Sequence, residues 1–120
     1  RGNPGGVIAV AACLATQLRA LHVPIAIAID RHTASAAELL VTMLRGCTFG
    51  ERSYGKGRAN TFDVSPHDLN PSVNGASATF TNANGEAIDG IGMHPDVPCN
   101  PKSAYAEAIA WLRRIDTPPQ

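Results

Sequence analysis

The sequence predicts an α/β domain, and three observations carry that expectation. Apolar residues at Val7, Val10, Ala11, Leu14, Leu18 and Leu21 recur at helical spacing. Pro24 then introduces Ile25-Ala26-Ile27-Ala28-Ile29, a short continuous apolar run. Such a run is typical of a strand buried on both faces in a parallel sheet. A second helical segment follows from about Ala34 to Leu44. Helix, strand, helix and strand in alternation is the order of α/β folds.

The elements follow in order. Arg1-Gly-Asn-Pro-Gly-Gly6 has a composition that neither helix nor strand tolerates, so it reads as a turn. The helix over Val7 to Leu21 and the strand at Ile25 to Ile29 come next, and Gly46 is the expected stop of the second helix. Cys47 to Phe49 reads as a short strand, Gly50 to Arg58 as a polar glycine-rich loop, and Thr61 to Val64 as another strand. Pro, Asp, Asn and Gly crowd Ser65 to Gly75, which reads as an exposed loop. Ala78-Thr79-Phe80-Thr81 and Ala87-Ile88 flank Asn84-Gly85, a hairpin signal. A last helix spans Ser103 to Ile115, with Tyr105, Ile109, Leu112 and Ile115 near one side. Residues 117–120 form a tail.

Composition narrows the function. Hydrophobic residues make up 44% of the 120 residues, enough for a core, and charged residues only 17%. Lys plus Arg and Asp plus Glu both number 10, a neutral balance that argues against nucleic acid as the main partner. No apolar run approaches the roughly 18 residues of a membrane span. Cys13, Cys47 and Cys99 form no CxxC and no Cys/His cluster, so no zinc site is expected. Cys13 and Cys47 read instead as small core residues. His32 and His94 read as cap or surface and structural residues, since neither has the partners of a catalytic base.

Two segments carry chemistry. Thr33-Ala-Ser-Ala-Ala-Glu38 places Ser35 at the start of a helix. It fits a capping box, and the same position puts Ser35 at the positive end of the helix dipole beside the Ala36 amide. Gly50-Glu-Arg-Ser-Tyr-Gly-Lys-Gly57 nearly matches a phosphate loop. Gly57 stands where the magnesium-binding hydroxyl belongs, and an extended segment follows where a helix should, so nucleotide binding is rejected. Glycines on both sides of Lys56 would let it tuck inward. A serine becomes nucleophilic when a nearby base removes its proton, and a desolvated lysine serves. The pair reads as a Ser/Lys hydrolase, with the glycines of the Gly5-Gly6 turn and Ala36 as oxyanion donors.

These segments, followed by Asn84-Gly-Glu-Ala-Ile-Asp-Gly-Ile-Gly-Met-His-Pro-Asp-Val97, occur in an order that resembles the carboxyl-terminal processing peptidases, or tail-specific proteases, over about residues 1 to 98. The resemblance implies a crotonase-like superfold with ββα units. It makes Ser35 the nucleophile, Lys56 the general base and Glu38 an assisting acid. Asn60 stands where other members orient the lysine with a glutamine, and Gly5, Gly6 and Ala36 form the oxyanion hole. No cofactor or metal is implied. The implied substrates are unstructured protein C-terminal regions, and the implied location is outside the cytoplasm, periplasmic or secreted. A non-catalytic ligand- or peptide-binding module on the same fold is the alternative.

Two departures accompany the resemblance. The interval from Ser35 to Lys56 is several residues shorter than the family shows, and a loss of about one helical turn, ~3.6 residues, keeps a helix face in phase. Residues 1–116 read as the C-terminal part of a catalytic domain, with a buried strand and a PDZ domain expected upstream. Such a part alone is expected to be inactive and to form homo-oligomers through its open sheet edge.

Overall fold

A computed structural model describes residues 8–63 and 72–116, with side chains over 8–59 and 78–116. The expected glycine turn at residues 1–6 and the tail at 117–120 lie outside the described residues. The elements are α1 (Ile8–Ala20), β1 (Ala26–Ile29), α2 (Ala36–Leu44), β2 (Cys47–Gly50), β3 (Arg58–Asp63), β4 (Ser72–Thr79), β5 (Val97–Pro98) and α3 (Ala104–Ile115).

β1, β2 and β5 form a parallel sheet in that order, with Ala26 opposite Cys47 and Phe49 opposite Val97. The α/β expectation holds. β1 is not buried on both faces, however: Ile29 is buried and Ala28 is exposed. β1 is an outer strand of a three-stranded sheet, and α3 packs against both β1 and β2. Side chains alternate between the two faces of a strand, so neighbouring residues meet different surroundings.

The core lies between β2 and α3. Phe49, Ala104 and Ala108 are buried there, with Ala26, Cys47, Cys99 and Trp111 packed around them. The Phe49 and Trp111 rings sit 5.8 Å apart in a tilted pair, within the favourable range for aromatic contacts. α3 therefore buries Ala104 and Ala108 and half-buries Ile109, Trp111 and Leu112, while Tyr105 and Ile115 at the two ends of the expected stripe are exposed. Alanines let a helix lie close to a bulky Phe. The same logic corrects α1. Its buried residue is Ala15, while Val10 and Leu14 of the expected stripe are exposed, because the small side of α1 packs on α2. Cys13 falls on the outer side and is exposed, contrary to its core reading.

α2 ends at Leu44 as expected, but the left-handed residue that caps it is not the glycine. Arg45 takes the left-handed cap conformation at φ 53, ψ 38. Gly46 serves close approach instead, since a Cβ there would stand 2.7 Å from the Ile25 carbonyl oxygen. Asp96 then ties β5 to β2. Its Oδ2 accepts from Thr48 N and Thr48 Oγ1, each at 2.8 Å, and its own N donates to Thr48 Oγ1 at 2.9 Å.

β3 and β4 form a separate antiparallel pair, with Arg58 opposite Thr79 and Asp63 opposite Ser72. β3 starts three residues before the expected strand. β4 takes up Ser72 to Gly75, which read as loop, and Ala78-Thr79, which read as one arm of a hairpin with 87–88. The Asn84-Gly85 turn does form. It is closed by Asn82 Oδ1, which accepts from Asn84 N and Glu86 N, but only one bridge, Thr81 to Ala87, pairs its ends. Strand pairing with β3 wins because it engages the full length of β4. Among the described residues no helix is long and apolar enough to cross a membrane.

Phe49→Ala is expected to cost about 3–5 kcal/mol of stability, the range for a buried aromatic truncated to alanine. Leu14→Ala, at a position 45% exposed, should cost about 0.5 kcal/mol or less. Urea denaturation of both variants checks this, and equal losses would contradict the assigned core.

Candidate active site

The site is built around one buried carboxylate. Glu38 lies in the first turn of α2 and is 0% exposed. Its Oε2 accepts from Ser35 N at 2.8 Å and from Lys56 N at 2.9 Å. Its Oε1 accepts from Ser53 Oγ at 2.5 Å and Gly55 N at 2.7 Å. Three backbone amides and one hydroxyl thus converge on two oxygens. A buried charge is tolerated when its lone pairs are taken up by donors in this way.

Local sequence explains half of this arrangement. Ser35 and Glu38 stand in capping-box relation, and Glu38 makes the firmer half; Ser35 Oγ makes no cap hydrogen bond of full geometry. Ser35 is held at φ 56, ψ −119, a left-handed backbone for a residue that is not glycine. Holding such a backbone costs on the order of 1–3 kcal/mol, and it persists only where surrounding bonds enforce it. The Glu38 bond to Ser35 N is one such restraint. The segment before it supplies another. Thr33 is buried, its N donates to Asp30 O at 2.9 Å, and its own carbonyl accepts from Tyr54 N at 2.9 Å. Asp30 shapes that turn, since its Oδ1 accepts from His32 N at 2.9 Å. Burial alone would raise the Asp30 carboxyl, but the His32 amide and ring and the Thr33 amide outweigh it and hold it below its ordinary value. His32 itself is exposed, with its Nε2 accepting from Arg31 Nε, in keeping with a surface and cap role.

The loop that carries Lys56 is fixed from the other side by residues 88–93. Ser53 N donates to Met93 O at 3.0 Å, Met93 N donates to Ser53 Oγ at 2.7 Å, and Gly90 N donates to Gly55 O at 2.8 Å. Gly55 and Gly57 are buried in this contact, and the Lys56 side chain is exposed. A Cβ at Gly55 would stand 2.7 Å from Gly92 N, and one at Gly57 would stand 2.5 Å from Asp89 N. The two glycines therefore serve the close passage of two backbones. They do not draw Lys56 inward, which corrects the expectation placed on them.

The structure brings the Ser35 and Lys56 backbones onto a single carboxylate oxygen, so the shortened interval between them does not part the two segments. Ala36 begins α2 and supplies the first of the amides that a helix leaves without an intrahelical acceptor. Gly5 and Gly6 lie outside the described residues, and of Asn60 only the backbone is described, opposite Ala76 in β3. A cleft of about 350 Å³ between α2 and the turn at 82–84 is lined by Thr42, Arg45, Asn82 and His94 among others; neither Ser35 nor Lys56 lines it. Sequence reasoning missed Ser53, which is 3% exposed. In a glycine-rich loop it looks like any solvated serine, and only its recurrence between Glu38 and Met93 in space marks it.

Residues 13–99 match the family model described as Peptidase family S41. Among solved structures, the chain is similar to a photosystem II D1 C-terminal processing protease at 32% identity and a TM-score of 0.54, covering 78% of this chain and 25% of that one. A structure of mature CPAF complexed with lactacystin matches at 20% identity and a TM-score of 0.44, covering 77% of this chain and 19% of that one. The chain thus spans about a quarter or less of the length of these structures. No curated protein sequence matches it.

Glu38→Ala would leave three amides and a hydroxyl buried without an acceptor. It is expected to cost about 3–5 kcal/mol, as for breaking a buried charged network on one side. Glu38→Gln sets an NH₂ against donors on one of the two oxygens and is expected to cost about 1–3 kcal/mol. Denaturation midpoints of the two variants, ranked in the opposite order or unchanged from the parent, would contradict the network.

Proposed function

This chain belongs to peptidase family S41, and from that membership we propose that it supplies the Ser35/Lys56 dyad of a serine endopeptidase acting on unstructured protein C-terminal regions. One observation carries the reading: Ser35 N and Lys56 N share Glu38 Oε2 at 2.8 and 2.9 Å. The strained φ of Ser35 adds support, since a sharp turn into a helix presents a nucleophilic hydroxyl above its surroundings. The C-terminal processing named for the similar D1 protease supports the substrate class.

In this mechanism the neutral Lys56 amine takes the Ser35 hydroxyl proton as Oγ bonds to the scissile carbonyl carbon. The carbonyl oxygen becomes an oxyanion, held by the Ala36 amide and by Gly5 or Gly6. As the C–N bond breaks, Lys56 returns the proton to the leaving amine, and an acyl-serine remains. Water then attacks the acyl carbon, Lys56 accepts its proton and passes it to Ser35 Oγ, and the new C-terminal carboxyl leaves. Asn60 orients the Lys56 amine. Glu38 acts on the backbones of both reacting residues and sets their spacing.

The exposure of the Lys56 side chain favours a second reading, a binding module without catalysis, because a base in this role calls for shelter from water. A fluorophosphonate probe separates the two, since it bonds only to an activated serine.

In the full protein, Ser35→Ala is expected to remove probe labelling and to lower proteolysis by at least about 10³-fold with the fold retained. Lys56→Ala should be nearly as damaging, and Lys56→Arg should not rescue it, because a guanidinium does not give up its proton. Cleavage retained in a folded Ser35→Ala protein would overturn the assignment.

A further inference from the structure

The Ser53 hydroxyl lies at a crossing of three segments. It is 3% exposed and belongs to the loop that leads to Lys56. Its Oγ donates to Glu38 Oε1 at 2.5 Å and accepts from Met93 N at 2.7 Å. Both functions of one hydroxyl are thereby used, which leaves a single orientation for its proton. The other described partners of the Glu38 carboxylate are backbone amides, which the fold fixes. Ser53 is the one side chain among the described partners of the Glu38 carboxylate, and its Oγ bonds both that carboxylate and the 88–93 turn.

We propose that Ser53 is a positioning residue: its hydroxyl relays the place of the 88–93 turn to the Glu38 carboxylate and through it to the Ser35 and Lys56 amides. The inference rests on the dyad reading above and adds to it a residue that touches neither substrate nor the reacting atoms. The chemistry is directional. Met93 N–H points at Ser53 Oγ, and Ser53 O–H points at Glu38 Oε1. Each bond polarises the next, so the chain holds the carboxylate more firmly than the separate bonds would. Without the hydroxyl, Glu38 Oε1 keeps only Gly55 N, Met93 N loses its acceptor, and the carboxylate is free to rotate off the line it shares with Ser35 and Lys56. Small displacements of reacting groups are costly, on the order of 10²-fold in rate for about 1 Å.

The test has two arms, run on the full protein. In the first, amide hydrogen exchange is read at Gly55 and Lys56. Ser53→Ala should speed exchange at both by at least about tenfold, while amides within α3 stay within about twofold; unchanged protection at Gly55 and Lys56 would overturn the proposal. In the second, peptide hydrolysis is followed in a double-mutant cycle. Ser53→Ala should lower kcat by about tenfold or more with KM within about twofold, and in a Glu38→Gln background it should lower kcat by no more than about twofold, because it acts through that carboxylate. Full additivity of the two losses would overturn the relay. Should Ser53→Ala fail to fold, Ser53→Thr, which keeps the hydroxyl, is expected to retain protected amides and at least about a third of kcat; a loss of protection there would overturn the proposal. A wild-type protein that shows protected amides and no hydrolysis would refute the dyad reading, while the exchange arm would still decide whether Ser53 holds the loop.

Discussion

The Glu38 carboxylate is the constraint on which the rest of the site depends. It is fully buried, and each of its described partners donates to it. Such a group has few alternatives. Moved toward the apolar core it would lose its donors, and moved toward water it would strip three amides of theirs. Either outcome costs several kcal/mol, on the order of half a small domain's net stability. The carboxylate is therefore a rigid pin. The start of α2 and the loop of residues 53–56 are positioned by it rather than by packing of large side chains. This explains how a region rich in glycine and serine holds a defined geometry.

Around that pin the fold spends small residues where backbones must meet. Gly55 and Gly57 pass under the 88–92 backbone, Ala15 lets α1 close on α2, and Ala104 and Ala108 let α3 lie on Phe49. The large apolar residues then gather at one place, where Phe49 meets Trp111, and the Thr48–Asp96 bonds fix the neighbouring strand in register. The parallel sheet and α3 form a platform, and the site sits where the chain leaves β1 and β2 at Asp30 and Glu51. In open α/β sheets the carboxyl ends of the strands are where ligands bind.

Much of this was legible in the sequence. The three helices, β1 and β2 were marked by periodicity and by Pro24, and Ser35, Glu38 and Lys56 by their small-residue surroundings. The capping-box spacing revealed the Glu38 bond to Ser35 N, because both ends lie within one turn. The bonds from Ser53, Gly55 and Lys56 were illegible, since they come from a loop 15 to 18 residues away. β5 was missed because two residues, Val97-Pro98, carry no periodicity, and it exists through its pairing with β2. The faces of α1 and α3 were read only in part, with Ala11, Leu18, Ile109 and Leu112 half-buried and the rest of the described stripe exposed, for a physical reason. The hydrophobic stripe marks the bulkiest residues, whereas the tightest contacts select alanine. The first half of β4, Ser72 to Gly75, was read as loop because Asn74 and Gly75 are turn formers, and pairing with β3 overrode that preference.

That one carboxylate holds both the Ser35 and the Lys56 segments is open to direct measurement. Scalar coupling across a hydrogen bond connects an amide nitrogen to the carbon of its acceptor. In uniformly labelled protein, cross-bond couplings are expected from the Ser35, Gly55 and Lys56 amides to the Glu38 side-chain carboxyl carbon, all three together. Coupling from Ser35 alone, with none from Gly55 or Lys56, would contradict this arrangement, since Glu38 would then be a helix cap and nothing more.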